Sequence, residues 1–304
     1  MNLTINSNLA SRRQFAIQNV ASALDVNDVL SQLNVGTYSK TKSTECNGFS
    51  VIKDDQGDPL TIVRSTYDIL QPVEAFAFLD CLQAELGFTY ENAGFTHEGK
   101  RLFIQGKLGD FEAPSSDSRK VGDVIDKRIT ATTSFDGSKA TEIQIEFLRL
   151  WCANGCANWT SDNAIAKVKH TRNQRSRLNL AVEQATGIRQ IIQNVESDVA
   201  LLTSRAFTGE QVEAVSRLVF PNDTKQAETA RESVLSQFSN ERLGAFGETA
   251  WDCLNAFTAW NTHERTLRET KQTSLEESAF RNVGESRKFA VEVREAIDQV
   301  YAIG

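Results

Sequence analysis

No run of about eighteen uncharged apolar residues occurs in the chain, and the opening segment, MNLTINSNLASRRQF, has no apolar stretch fit for a signal peptide. Neither membrane insertion nor secretion is expected, and the cytoplasm is the expected location. Cysteine is sparse: Cys46, Cys81, Cys152, Cys156 and Cys253 form an odd, scattered set that fits reduced thiols better than a disulfide framework. Cys152 and Cys156 stand at C-x3-C with His170 downstream, but no fourth ligand arrives at a zinc-finger spacing, so the reading is buried thiols and no metal. The three histidines, His97, His170 and His263, are too far apart in sequence to define a nucleophile and base pair. Nothing matches G-x-x-x-x-G-K-[ST], nor a strand followed by G-x-G-x-x-G, which excludes the common nucleotide motors and dinucleotide enzymes. No catalytic residue and no cofactor are expected.

With 304 residues, 40% hydrophobic and 24% charged, the chain is long enough to bury a substantial core. The pattern predicts an α+β fold: an antiparallel β-sheet in the N-terminal half packed by helices, then a helical C-terminal half. The expected division is a strand-rich core over 1–160 and a helical region over 161–304, packed on the core as one unit. Phe15, Ile17, Val20, Leu24, Val29 and Leu33 have helical spacing over 14–33. FSVIK (49–53) and LTIVR (60–64) flank Gly57, Asp58 and Pro59, a hairpin signal. A helix begins at Pro72 and runs to Leu86 before Gly87. Strands are expected over 101–108, 122–134 and 140–151. In the last, Ile143, Ile145 and Phe147 alternate with Glu142, Gln144 and Glu146, so the first three should be buried and the acids exposed or edge-paired. Asp136-Gly137-Ser138 is the turn to its partner strand. Beyond about 160 only Pro221 interrupts helical spacing, and helices are expected over 162–203, 209–219, 223–242, 244–263 and 274–301.

Charge is distributed unevenly. The formal net charge is -7, yet residues 164–182 hold Lys167, Lys169, His170, Arg172, Arg175 and Arg177 and no acid. Such a strip is a local positive field that suits a polyanion. Trp159 just precedes it and offers a face for a base, the second element of a strand-binding groove. Arg119, Lys120, Lys127 and Arg128 lie on or before the central hairpin and Lys139 at its turn; beside the basic helix they would line one groove. The alternative is that Asp123, Asp126 and Glu142 pair with these cations and neutralise the surface. The acid pairs Asp54-Asp55, Asp123 with Asp126 and Glu142 with Glu146 sit at turns or solvent-facing strand positions and read as surface, not as a two-metal site.

Six segments taken in order carry a family resemblance: Tyr67-Asp68-Ile69-Leu70 with Glu74-Ala75-Phe76, Ala93-Gly94 before Gly99-Lys100-Arg101, Gly122-Asp123, Ser134-Phe135-Asp136-Gly137-Ser138, Arg149-Leu150-Trp151-Cys152-Ala153-Asn154, and Gly247 to Thr258 with His263 after it. Over about 35–265 the chain resembles domain-of-unknown-function family 932. Trp151 and Gly155 depart from it, standing where the family pattern has a small aliphatic and a small polar residue. The resemblance implies a phage- or plasmid-encoded protein of mobile-element DNA metabolism in a bacterial host, with no assigned enzymatic activity. The order of helix, antiparallel strands and long basic helix is also similar, in architecture, to single-strand annealing proteins of the RecT and Redβ kind. That similarity implies a homo-oligomer binding single-stranded DNA between a hairpin and a helix.

The leading expectation is therefore an ATP-independent, oligomeric protein that binds and anneals single-stranded DNA for recombination. Lys127, Arg128, Lys139, Lys167, Lys169, Arg172, Arg175 and Arg177 would hold phosphates, and Trp159 would support bases. The alternatives are a protein-interaction module acting on a host factor and a metal-dependent hydrolase with a scattered site. In the late segment, Trp251, Leu254, Phe257 and Thr258 fall at i, i+3, i+6 and i+7, so Trp251, Leu254 and Phe257 form an expected apolar stripe, with Asn255 and His263 off its centre.

Overall fold

The computed structural model describes residues 16–44, 46–97, 99–113, 123–149, 155–156, 164–168, 187–239, 248–264 and 283–303. It is an α+β protein, with an antiparallel sheet in the N-terminal half and helices in the C-terminal half. The strands are β1 (Ala16–Asn19), β2 (Ser39–Lys42), β3 (Phe49–Lys53), β4 (Pro59–Arg64), β5 (Thr89–Thr96), β6 (Arg101–Ala113), β7 (Asp123–Ser134), β8 (Thr141–Arg149), β9 (Gly155–Cys156) and β10 (Ala164–Val168). The larger sheet has the order β1-β5-β6-β7-β8-β10, with β9 also paired to β8, and β2-β3-β4 form a second sheet. The helices are α1 (Val26–Gln32), α2 (Pro72–Phe76), α3 (Phe78–Leu86), α4 (Ile188–Ser204), α5 (Gly209–Val219), α6 (Lys225–Phe238), α7 (Ala250–Ala259) and α8 (Val283–Ile303). None of the described helices is long and apolar enough to cross a membrane.

The chain divides into two compact units that interleave in sequence. The first takes Met1–Leu108, Arg128–Ile145 and Ala164–Ile188; the second takes Gly109–Lys127, Glu146–Asn163 and Arg189–Gly304.

In the first unit, the segment with helical spacing over 14–33 is a strand, a turn and a short helix. Asp25 ends the turn by capping α1, its carboxylate accepting from Asp28 N at 2.8 Å. Val20, Val29 and Leu33 are buried, but Ile17 on the edge strand and Leu24 in the turn are exposed, so the helical stripe is broken where β1 pairs with β5. The hairpin over 49–64 forms as expected, and β2 adds a third strand to it. The helix from Pro72 is interrupted at Ala77, giving α2 and α3. Asp80 on α3 accepts from Tyr90 Oη at 2.7 Å and from Val26 N at 2.9 Å, tying β5 and α1 to this helix. Ile143 and Ile145 are buried as the alternation requires.

Residues 164–168, expected to open a long basic helix, instead form β10, in register with β8 as Lys167↔Glu142 and Val168↔Thr141. Pairing with the otherwise open β8 edge satisfies backbone groups that a helix start would leave there, and this tertiary gain overrides local preference.

In the second unit, Phe147 is fully buried and its ring meets Phe111 edge-on, with centroids 6.4 Å apart. Helix α8 packs on α5 and α7, and α6 packs on the same two helices. Phe220, Phe257, Trp260 and Phe289 form an aromatic cluster among them, with centroid separations from 4.9 to 6.4 Å. Arg294 Nε holds Asp298 at 3.0 Å and its Nη1 holds Asp198, while Arg205 reaches Asp298 at 2.6 Å. Helix α7 starts at a capping box in which Thr249 and Asp252 bond reciprocally. Trp251, Leu254 and Phe257 are buried, as the expected stripe requires. Every other residue of α7 is buried too, including Asn255, so this helix is enclosed on all faces rather than along one stripe.

Candidate functional site

A pocket of about 760 Å³ opens in the first unit where the end of β4 meets the turn between β7 and β8. Arg64, Thr66 and Tyr67 line one side, the turn Asp136-Gly137-Ser138 with Lys139 lines another, and Lys167 on β10 completes it. Several local devices fix this geometry. Asp136 accepts from Ser138 N at 2.9 Å, which closes the turn. The Ser134 hydroxyl donates to Lys139 O at 2.8 Å and accepts from Lys139 N at 3.0 Å, so the lysine backbone is held at two points. Arg101 donates from Nε and Nη2 to Ser138 Oγ at 3.2 and 3.1 Å. Phe135 N donates to Lys100 O at 2.8 Å.

Gly137 has φ +72, and a Cβ placed there would stand 3.1 Å from the Tyr67 ring. Both conditions call for glycine: the left-handed conformation penalises a side chain, and the ring occupies the space beside it. Tyr67 is kept protonated. Burial and the nearby Asp136 charge push its phenol well above the ordinary tyrosine range, against a lowering hydrogen bond from the Gly137 backbone. Lys40 Nζ donates to Tyr67 O and to Ser65 O, anchoring the chain on the far side of β4.

Glu142 sits between the two pocket lysines. Lys167 Nζ is 2.6 Å from Oε1 and Lys139 Nζ 3.1 Å from Oε2. Burial alone would raise the Glu142 carboxyl. The hydrogen bond from Lys167 and the charge of Lys139 outweigh it and hold the group below the ordinary glutamate range. Three positive side chains, Arg64, Lys139 and Lys167, thus line one pocket together with the Asp136 carboxylate, and two of them are also paired with the buried Glu142. Arg64 is exposed and has no carboxylate partner among the described residues. Such a site offers charge for an anionic oxygen with an aromatic ring beside it.

Of the residues marked by charge, the fold brings Lys139 and Lys167 together and sends Lys127 and Arg128 elsewhere. Lys127 belongs to the second unit, where it pairs with Glu196 of α4 at 2.9 Å and stands 5.6 Å over the Phe111 ring. Arg128 pairs with Glu91 of β5 at 3.1 Å. As successive strand residues the two leave the sheet on opposite faces. Trp159, Lys169, Arg172, Arg175 and Arg177 lie outside the described residues, as do Cys152 and His170. Among the described residues, no group of three or more His, Cys, Asp and Glu side chains is placed to hold a metal ion. Arg64 and Tyr67 escaped the reading by charge because Arg64 is a lone cation at the end of an apolar strand. The signal for Tyr67 was its place in a family segment.

Two of the segments that carry the family resemblance line this pocket, through Tyr67 and through Asp136 to Ser138, and a third bonds to its lining through Arg101 and Ser138. No curated protein and no solved structure matches the chain. A family model does match, over residues 59–281, and by that match the chain belongs to the family described as Domain of unknown function (DUF932).

Proposed function

We propose that this protein binds single-stranded DNA by its phosphates at the Arg64, Lys139 and Lys167 pocket. In this reading it anneals complementary strands without a nucleoside triphosphate, as a homo-oligomer of a phage or plasmid system in a bacterial cytoplasm. The observation that carries the reading is the convergence of three cations from three separate chain segments on one pocket that Tyr67 also lines. A net charge of -7 does not oppose it, because recognition depends on the local field rather than the sum. The basic stretch from Lys169 to Arg177 directly follows Lys167 in sequence and adds further cations without an acid between them.

A second reading, a protein-interaction module acting on a host factor, is favoured by one observation. Lys127, Arg128, Lys139 and Lys167 each already face a carboxylate. Mass photometry with and without an oligothymidylate at low salt separates the two. The annealing reading expects growth into large assemblies on the strand and ATP-independent pairing of complementary oligonucleotides. A protein whose mass is unchanged by the strand leaves the interaction module.

A further inference from the structure

The three-stranded sheet that leads into the pocket presents an apolar outer face. In the β3–β4 register Phe49 stands opposite Arg64 and Val51 opposite Ile62, while Thr41 of β2 stands opposite Val51. Residues paired across antiparallel strands share a face, and alternation puts Phe49 and Val51 on the same one. The other face holds Ser50, Ile52 and Val63, all buried. Phe49 is 41% exposed and Ile62 65% exposed, large apolar groups turned outward on adjacent strands. Ile62 and Arg64 also line the pocket, so the apolar face and the cationic site are continuous.

We infer that this face is a base-stacking platform, on which the ring of Phe49 stacks one base, with Ile62 as the apolar surface beside it, while Arg64, Lys139 and Lys167 take the adjoining phosphates. The inference rests on the single-strand reading above and assigns the bases a place within it. An exposed ring paired across strands with a guanidinium that has no carboxylate partner among the described residues suits a nucleotide, which has a flat face and a neighbouring negative charge. An apolar protein segment would match the ring but leave Arg64 without a complement. A duplex, whose bases are stacked inside, would match the cations but not the ring.

The test uses the full chain with two labelled strands, oligothymidylate and an abasic strand of equal length. Wild type should prefer the strand with bases, by about tenfold for one stacked base. Phe49→Ala and Phe49→Leu should both lose that preference and bind the two strands alike, with the salt dependence unchanged because no phosphate contact is removed. Phe49→Leu keeps apolar bulk in the sheet, and Phe49→Trp should keep the preference. If wild type binds but Phe49→Leu retains the full preference for bases, the platform is overturned while the phosphate site stands. If wild type binds neither strand at low salt, the single-strand reading itself falls, and the platform with it.

Discussion

Lys167 on β10 and Glu142 on β8 face each other in register, with Nζ 2.6 Å from Oε1. This cross-strand pair fills the place where a bound phosphate would meet the lysine. On the proposed reading, the Glu142 carboxylate would therefore compete with an anionic ligand for both Lys139 and Lys167.

Glu142→Gln should tighten binding of an anionic strand several-fold at low salt, because it removes the competing charge without removing either lysine. The same change should cost about 1–2 kcal/mol of stability, the scale of a charge-assisted hydrogen bond with partly exposed partners. Urea unfolding and fluorescence anisotropy check the two effects, and weaker binding by this variant would contradict the competition.

The Glu142 pair also sets a pH dependence. Its carboxyl is lowered in the folded state, so its contribution is fully present above the ordinary value of 4.5 and is lost as the pH falls below that toward the lowered folded value. The stability difference between wild type and Glu142→Gln should be constant near neutrality and shrink as the pH falls from 4.5 through the lowered folded value. A difference that grows in acid would reverse the sign.

Gly137 and Gly57 both have positive φ, but only Gly137 has a neighbour at the Cβ position. Gly57→Ala should cost about 1–2 kcal/mol, the penalty for a side chain in the left-handed region. Gly137→Ala should cost more and weaken strand binding, because the new methyl group displaces the Tyr67 ring. Equal thermal shifts for the two variants would show that the ring yields freely.

Phe147→Ala should destabilise by about 3–5 kcal/mol, the usual cost of emptying a fully buried aromatic site. Thermal unfolding measures this, and an unchanged transition would contradict the packing against Phe111.

Asn255→Ala should likewise cost stability, about 1–3 kcal/mol, because truncating an enclosed side chain leaves a void in a helix buried on all faces. A variant that loses activity at full stability would instead give Asn255 a functional role.

The parts legible in the sequence were those where one physical signal dominated. The alternation through Ile143, Ile145 and Phe147 gives β8 directly: these three are buried, Gln144 and Glu146 on the other face are half-buried, and Glu142 there is buried but paired across strands with Lys167. The turn at Asp136-Gly137-Ser138 is local chemistry and was readable as such. Strand β5 was not. Its pairing with β6 shifts register between Tyr90 and Asn92, which destroys the period-two pattern over TYENAGFT. Strand β10 was hidden for another reason: AIAKV has no strong preference, and only the open edge of β8 selects a strand. Lys139 and Lys167 were expected in one groove all the same; what the helical reading missed is that they meet across paired strands, with Glu142 bonded to both. Arg64 carried no local signal, being one cation whose neighbours are distant in sequence.

The central claim is that Arg64, Lys139 and Lys167 hold the phosphates of a single strand, and the salt dependence of oligothymidylate binding tests it most directly. Arg64→Ala should weaken binding and flatten the log-log salt slope by about 0.7, the value of one phosphate contact on a single strand. Stability should barely change, since Arg64 is exposed and has no carboxylate partner among the described residues. A wild-type affinity that is insensitive to salt, or a slope that Arg64→Ala leaves unchanged, would contradict the account.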